Sequence, residues 1–164
     1  MSLNDPQLPN LHSPRILICK AERKLHVFDG EDLIKTYQVS LGAAPVGDKT
    51  EEGDGHTPEG EFYIFAKNPE SKYHLSLAVS YPGVEAAVRG LNGGLISQDE
   101  YEAILEAVEA KKMPPQRTRL GGEIYIHGGG TDGDWTRGCI AMPDRDIEEI
   151  FEAIAVGTPV RIEP

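Results

Sequence analysis

The chain is poor in several residue types, and each shortage excludes a class of protein. It has two cysteines and one tryptophan among its 164 residues. Two cysteines are too few for the disulfide framework of a small secreted scaffold. No stretch approaches the roughly 18 to 20 consecutive apolar residues that cross a bilayer, so we expect no membrane span. The first 14 residues also lack the apolar core of a signal peptide.

Basic residues are scarce as well. The 16 Lys and Arg residues face 27 Asp and Glu residues, which gives a net charge of −11. Nucleic acid and anionic membrane surfaces repel a chain this acidic, so both are excluded as partners. Metal-binding spacings such as Cys-x-x-Cys are missing, and we expect no metal and no cofactor; convergence of His56, His127 and Cys139 in space is the one alternative. Composition does not fix an oligomeric state.

The length suits one domain with a short tail. Residues 1–14 contain three prolines among polar residues and are predicted to be an irregular tail, so that the folded domain spans residues 15–164. A long glycine-rich loop is expected over residues 42–60. Short β-rich segments separated by turns predict seven strands, at Ile16–Lys20, Lys24–Phe28, Lys35–Leu41, Glu61–Lys67, Leu75–Tyr81, Glu123–Ile126 and Thr158–Ile162.

Two segments have helical periodicity instead. The first begins at Ser97, and Glu100 three residues later completes a capping box. The second begins near Asp144 and ends before Gly157. In both segments apolar residues recur at helical spacing, which predicts one core-facing side. The fold class is therefore mainly β with two short α-helices.

Reactive chemistry concentrates between His127 and Cys139. His127 ends an apolar strand, and a glycine-rich loop then leads to Gly138 and Cys139. A thiol has a pKa of about 8.5, and a neighbouring imidazole that takes its proton makes it a nucleophile. The pair therefore predicts acyl transfer through a thioester. The alternative is that Cys139 is an inert small apolar residue, as we expect for Cys19 within its buried strand.

Several other residues are candidates for supporting roles. The backbone N–H groups of Gly128, Gly129 and Gly138 are predicted to stabilise an oxyanion. Arg137 is the preferred anchor for a substrate carboxylate, because guanidinium binds carboxylates in a bidentate manner. We also assign substrate contacts to four residues near the cleft, namely His56, Tyr81, Trp135 and Thr136. Asp132 and Asp134 are candidates for orienting the imidazole, although loop aspartates more often form turns.

The same residues resemble a known family. The run from His127-Gly128 to Thr136-Arg137-Gly138-Cys139 is similar to the signature of the L,D-transpeptidase (YkuD) catalytic domain, and Thr57-Pro58-Glu59-Gly60-Glu61-Phe62 is similar to its Thr-Pro-x-Gly-x-Phe element. The form Gly53-Asp54-Gly55-His56-Thr57-Pro58 and the ending Gly138-Cys139-Ile140-Ala141-Met142 are most similar to the YafK-like branch. Arg137 stands where many relatives have histidine, and Ala141 stands where they often have arginine.

The resemblance implies a fold, a reaction and a compartment. It implies a β-sandwich or barrel-like sheet domain in which Cys139 is the nucleophile, His127 is the base, and a backbone carbonyl near Gly128 or Gly129 orients the imidazole. The implied substrates are stem peptides of bacterial peptidoglycan, and the implied location is the periplasm or cell envelope. Hydrolysis of the same substrates, as by a carboxypeptidase, endopeptidase or amidase that releases wall-attached protein, is the alternative reaction. A noncatalytic wall-binding module is the alternative of another class.

Overall fold

The structure, a computed structural model, describes residues 8–164. Residues 1–7 of the expected tail lie outside this range. Residues 8–13 form no strand, but Leu8 and Leu11 pack against the core, and the N–H groups of His12 and Ser13 donate to the Asp29 carboxylate. The segment just before the first strand is therefore attached to the domain.

Eight strands form one curled sheet. In chain order they are β1 (Pro14–Cys19), β2 (Lys24–Asp29), β3 (Asp32–Gln38), β4 (Gly60–Ser71), β5 (His74–Val79), β6 (Tyr125–His127), β7 (Ile140–Ala141) and β8 (Pro159–Glu163). Their spatial order is β3-β2-β1-β8-β4-β5-β6-β7. Most neighbours are antiparallel, and the β1–β8 and β6–β7 pairs are parallel. The mainly β prediction is confirmed, and β7 is a short strand that the sequence pattern did not predict.

The sheet curls until its two edges meet. Ser40, just beyond β3, exchanges backbone hydrogen bonds of 2.9 Å with Ala141 of β7. Gly42 then bridges Thr136. Because β3 and β7 are the edge strands, these contacts protect backbone groups that an open edge would expose. They also bring the start of the 42–60 loop beside the segment that precedes Cys139.

Alternation along β1 and β2 places one set of side chains in the core. Ile16, Ile18, Leu25 and Val27 are buried, while the residues between them lie on the outer, partly exposed face. Cys19 belongs to that outer face. The expectation that Cys19 is a core residue is therefore wrong, because its strand buries one face only.

Within residues 8–164 there are three helices, one more than predicted: α1 (Val84–Asn92), α2 (Gln98–Ala110) and α3 (Asp144–Ala153). Helices α1 and α2 contact each other, and α3 packs against β5 and β6. The capping box of α2 is confirmed, since the Glu100 N–H donates to the Ser97 hydroxyl at 3.1 Å and the Ser97 N–H donates to the Glu100 carboxylate at 2.9 Å. The extra helix, α1, contains Gly90, which lowers helix propensity. A Cβ at Gly90 would lie 2.7 Å from Leu120, so close packing requires the glycine.

The 42–60 segment is a loop with its own internal structure. The buried Lys20 ammonium donates to the carbonyls of Gly47 and Thr57 at 2.8 and 2.7 Å. The Asp54 carboxylate accepts from the buried Lys49 ammonium at 3.0 Å and from three backbone N–H groups. These bonds hold a long loop in place beside the sheet edge. Among the described residues, no helix is long and apolar enough to cross a membrane.

Candidate active site

The parallel pair β6–β7 brings His127 and Cys139 together. Ile126 lies opposite Ile140, and His127 lies opposite Ala141, so Cys139 sits one residue before β7 and level with Tyr125. Because side chains alternate along a strand, His127 points away from the side on which Ile126 is buried. The two candidate catalytic residues therefore lie on neighbouring chain segments, His127 at the end of β6 and Cys139 one residue before β7.

A backbone carbonyl fixes the orientation of the imidazole. Nδ1 of His127 donates to the carbonyl oxygen of Gly128 at 2.6 Å, which leaves the lone pair on Nε2. The acceptor belongs to the type that the family resemblance implies. Asp134 has a different partner, because its carboxylate accepts two bonds from Arg23, at 3.1 and 2.8 Å, and one from the Leu41 N–H at 3.0 Å. The hypothesis that Asp134 orients His127 is wrong.

Two aromatic side chains enclose the His127 ring. Tyr73 stacks on it with a centroid distance of 4.7 Å and an interplanar angle of 23°. Trp135 approaches edge-on at 5.6 Å, and Tyr73 and Trp135 contact each other at 5.1 Å. Burial under these rings lowers the pKa of His127, although the bond to Gly128 opposes the shift. The imidazole is therefore neutral at neutral pH and able to accept a proton.

The Cys139 thiol is turned toward a neighbouring backbone segment. Its Sγ donates to the Glu123 carbonyl at 3.3 Å and accepts from the Tyr125 N–H at 3.4 Å. Burial raises the pKa of Cys139 to about 11. Within residues 8–164, no hydrogen bond joins this thiol to His127. In this resting arrangement the sulfur is a protonated thiol.

A side-chain clamp holds the carbonyl that accepts from the thiol. Glu123 has a left-handed backbone with φ of 55°, which is uncommon for a residue with a side chain. Its N–H donates to the Gln116 side-chain oxygen at 2.7 Å, and the Gln116 side-chain nitrogen donates to the Tyr81 carbonyl at 2.8 Å. Gln116 thus fixes the conformation that points the Glu123 carbonyl at the thiol.

The turn before the cysteine is built from Thr136 and Gly138. The buried Thr136 hydroxyl donates to the Cys139 carbonyl at 2.7 Å and accepts from the Gly138 N–H at 3.1 Å. Gly138 has φ of 139°, and a Cβ there would lie 2.8 Å from the His56 carbonyl oxygen. Only glycine fits this turn. The hydroxyl of Thr136 is engaged within the loop, and its predicted substrate contact stays a prediction.

The N–H groups predicted to stabilise an oxyanion have other partners. Gly128 donates to the Tyr73 carbonyl at 3.0 Å, and Gly129 donates to the Asp144 carboxylate at 2.9 Å. Gly138 donates to Thr136, as described above. An oxyanion role for any of these three glycines stays a prediction, and it would require its N–H group to exchange the partner that it has here. Gly128 contributes instead through its carbonyl, which holds His127.

Three further residues predicted to contact the substrate lie in different environments. Tyr81 is buried at 1% exposure and donates to the Leu120 carbonyl at 2.7 Å, so it is a core residue and its predicted role as a cleft wall is wrong. The His56 ring bonds to the Ala44 carbonyl at 2.8 Å, within the loop beside Gly138. Arg137 is exposed. In the described part of the chain, His56, His127 and Cys139 do not gather their donor atoms into one metal-sized group.

Some residues of the site escaped prediction altogether. Tyr73 lies in the β4–β5 hairpin, far from His127 in sequence. Glu123 and Gln116 act through a backbone conformation that no sequence periodicity encodes. Asp144 was predicted only as a helix start, and its carboxylate reaches back to the N–H of Gly129. Only the positions of the glycines in the 128–138 segment pointed to an unusual backbone here.

Comparisons with known proteins identify the family of the domain. The family model described as the L,D-transpeptidase catalytic domain, YkuD, matches residues 13–162. The YafK protein of Escherichia coli K12 is 25% identical over 155 residues, which cover 88% of this chain and 50% of that protein. The chain thus spans about half the length of this curated relative.

Solved structures share the fold. The helical cell shape determining protein Pgp2 of Campylobacter jejuni superposes with a TM-score of 0.63 at 23% identity, over 96% of this chain and 50% of that one. L,D-transpeptidase 1 of Mycobacterium tuberculosis gives a TM-score of 0.54 at 14% identity, over 92% of this chain and 61% of that one. The curled sheet of this chain is therefore the fold of known L,D-transpeptidase structures. This chain is a member of the L,D-transpeptidase catalytic domain (YkuD) family.

Proposed function

We propose that the chain catalyses acyl transfer on stem peptides of bacterial peptidoglycan, with Cys139 as nucleophile and His127 as base. The observation that supports the proposal is the pairing of β6 with β7, which brings the backbone of Cys139 next to the strand that ends at His127, together with the bond from Nδ1 of His127 to the Gly128 carbonyl. That bond leaves Nε2 as the proton acceptor. A cell-envelope location follows from this substrate.

The reaction begins with a change in the cysteine side chain. Rotation about its Cα–Cβ bond carries Sγ away from the Glu123 carbonyl and toward Nε2 of His127. Nε2 takes the thiol proton while sulfur forms a bond to the substrate carbonyl carbon. The terminal residue of the stem leaves as an amine, which takes the proton from His127, and a thioester remains on Cys139.

The second half of the reaction repeats these roles. An acceptor amine gives its proton to Nε2 and attacks the thioester carbon, and the Cys139 sulfur leaves and recovers a proton. The neutral state of His127, maintained by burial under Tyr73 and Trp135, suits both proton transfers. If water replaces the amine, the same steps give hydrolysis.

Backbone donors near the sulfur are suited to the developing oxyanion. The Tyr125 N–H lies 3.4 Å from Sγ and loses its acceptor when the sulfur turns toward the substrate. We assign the oxyanion to this N–H together with that of Cys139 itself. A donor that is already in place costs no reorganisation during the reaction.

The resting thiol also favours the competing interpretation of a noncatalytic wall-binding module. A cysteine whose pKa is about 11 and whose sulfur contacts only backbone groups is what such a module would contain. The enclosed and oriented imidazole argues for catalysis, because a pure binding module has no use for a base beside a thiol.

One incubation distinguishes these functions. Purified protein is mixed with a disaccharide tetrapeptide, with and without a free amine acceptor, and the products are identified by mass. Exchange of the terminal residue for the amine supports transfer, and loss of the terminal residue alone identifies a carboxypeptidase. A Cys139→Ala variant is the control. Binding of the tetrapeptide without any product in either mixture would overturn the proposal in favour of the binding module.

A further inference from the structure

A second group of reactive side chains lies on the outer face of the β1–β2 hairpin. Cys19 pairs with Lys24, and Leu17 pairs with His26, so Cys19 and His26 are diagonal neighbours on that face. Glu22 lies in the turn that joins the two strands. One donor atom from each of Cys19, Glu22 and His26 lies within 4.8 Å of the other two. The site described above uses none of these residues.

We propose that Cys19, Glu22 and His26 bind a zinc ion. Thiolate, imidazole and carboxylate are the three ligand types that zinc accepts, and three protein ligands with water in the fourth position make a recurrent tetrahedral site. Bond lengths of about 2.0 to 2.3 Å place the donor atoms of such a site roughly 3.3 to 3.6 Å apart. The donor atoms lie within 4.8 Å of one another here, and rotation of the exposed Glu22 side chain can bring its carboxylate closer to the other two ligands.

The His26 ring is held as a zinc ligand is held. Nδ1 lies 2.7 Å from the Thr36 hydroxyl on β3. With Nδ1–H donating to that oxygen, the lone pair of the ring is on Nε2, and Nε2 is the nitrogen that binds the ion. Hydrogen bonds of this kind fix the tautomer and the ring plane of histidine ligands. The Phe28 ring also packs edge-on against His26, with centroids 6.3 Å apart.

The surrounding charge favours a cation. Glu22 lies in the adjoining turn, and Glu163 pairs with Cys19 on the neighbouring strand β8, so two carboxylates attract the ion. When the ion binds, the metal–sulfur bond forms as the S–H bond breaks, and the proton passes to solvent. Arg161 neutralises part of this charge through its bond of 3.0 Å to Glu163.

Cobalt serves as the visible probe for the site. In the Cys139→Ala variant, kept reduced, Cys19 is the one remaining thiol, so any thiolate-to-cobalt charge-transfer band reports on it. We expect a band that saturates at one Co²⁺ per chain and disappears when Zn²⁺ is added. His26→Ala and Glu22→Ala should each weaken Co²⁺ binding by at least about tenfold. His12→Ala, which removes an exposed histidine outside the cluster, should leave it unchanged.

Thermal unfolding gives an independent readout. Zn²⁺ should raise the Tm of the chain with Cys19 intact and leave the Tm of a Cys19→Ser variant unchanged, because an ion that binds only the folded state stabilises it. A charge-transfer band that survives Cys19→Ser, or an equal rise in Tm in both chains, would overturn the proposal. So would His26→Ala and His12→Ala variants with equal Co²⁺ affinities. These outcomes are independent of the peptidoglycan reaction.

Discussion

The two cysteines lie in contrasting parts of the molecule, yet each has an imidazole nearby. Cys19 sits on a regular hairpin, and its neighbours Glu22 and His26 are side chains. Cys139 follows an irregular turn, and its sulfur contacts the backbone of Glu123 and Tyr125. Burial raises the pKa of both thiols. Proximity of cysteine to histidine therefore does not by itself make a nucleophile.

The difference lies in how each imidazole is held. His127 is enclosed by two aromatic rings and bound to a carbonyl, so it is neutral and oriented. His26 is tied to a hydroxyl on an open face, next to carboxylates that disfavour a thiolate. The first arrangement suits proton transfer, and the second suits metal binding. Both conclusions can be tested by making the same kind of substitution in each of the two regions and comparing the effects.

Removal of each thiol in turn should give the largest difference in activity between the two regions. We expect Cys139→Ala to abolish turnover of the tetrapeptide and leave the fold intact, because the sulfur forms the thioester. Cys19→Ala should keep activity near that of the parent chain and change the free energy of unfolding by about 1 kcal/mol. Mass analysis of products and thermal unfolding measure the two effects. Equal activity losses in the two variants would erase the distinction.

Replacement of the two histidines should give the next largest difference, in turnover and in the alkylation rate of Cys139. His127→Gln should slow turnover by roughly 10² to 10⁴-fold and suppress alkylation of Cys139 by iodoacetamide near neutral pH. Because the pKa of His127 is lowered, neutral imidazole persists below about pH 6.5, and alkylation of the parent chain should persist there too. At about pH 10.5, where the thiol ionises without help, the variant should approach the parent rate.

The matched control is His26→Gln, with alkylation assigned to each cysteine by peptide mapping. It should leave the Cys139 profile unchanged. Superimposable profiles for the parent chain and His127→Gln would show that His127 does not activate Cys139.

Replacing a glycine by alanine should destabilise the protein more in the turn just before Cys139 than in the loop that leads to this turn. Gly138→Ala places a Cβ 2.8 Å from the His56 carbonyl oxygen at φ of 139°. We expect it to lower the free energy of unfolding by about 2 to 4 kcal/mol. Gly133 has φ of 77°, but the space around a Cβ at this position is open. Gly133→Ala should therefore lower the free energy of unfolding by only about 1 kcal/mol. Urea denaturation measures both; equal losses would mean that the contact with the 42–60 loop contributes nothing.

The smallest effect is expected at Arg137. Arg137→Met should raise KM for a stem with a free carboxylate roughly tenfold, the size of one charge-assisted hydrogen bond, and leave kcat unchanged. The corresponding amidated stem should be unaffected, since it carries no charge to bind. Parallel losses on both stems would assign Arg137 to the shape of the loop rather than to carboxylate recognition.

Sequence reasoning succeeded where local composition or capping decides the structure. The β-rich segments that form β1 and β2 and the Ser97–Glu100 box were predicted from the sequence, and the family resemblance implied a barrel-like sheet domain. Helix α1 was missed because Gly90 lowers its propensity, while packing against Leu120 requires that glycine. Cys19 was misplaced because strand β1 buries only one face.

Within the candidate site, the sequence pointed to residues but not to their contacts. The pattern of glycines singled out His127 and Cys139, and the β6–β7 pairing brings their backbone segments together. The sequence gave no indication of Tyr73, whose contact with His127 depends on the β4–β5 hairpin. It also gave no indication of the partners of the glycine N–H groups, because these depend on tertiary contacts such as the Asp144 carboxylate at Gly129.

The bidentate bond between Arg23 and Asp134 links distant parts of the chain. It joins residues 111 positions apart and ties the turn after β1 to the loop that leads to Cys139. Closing so long a chain segment costs conformational entropy, which this bond and the contacts around it must offset. The position of the cysteine loop is therefore coupled to the stability of the N-terminal hairpin, and a change that loosens the hairpin should also loosen the turn before Cys139.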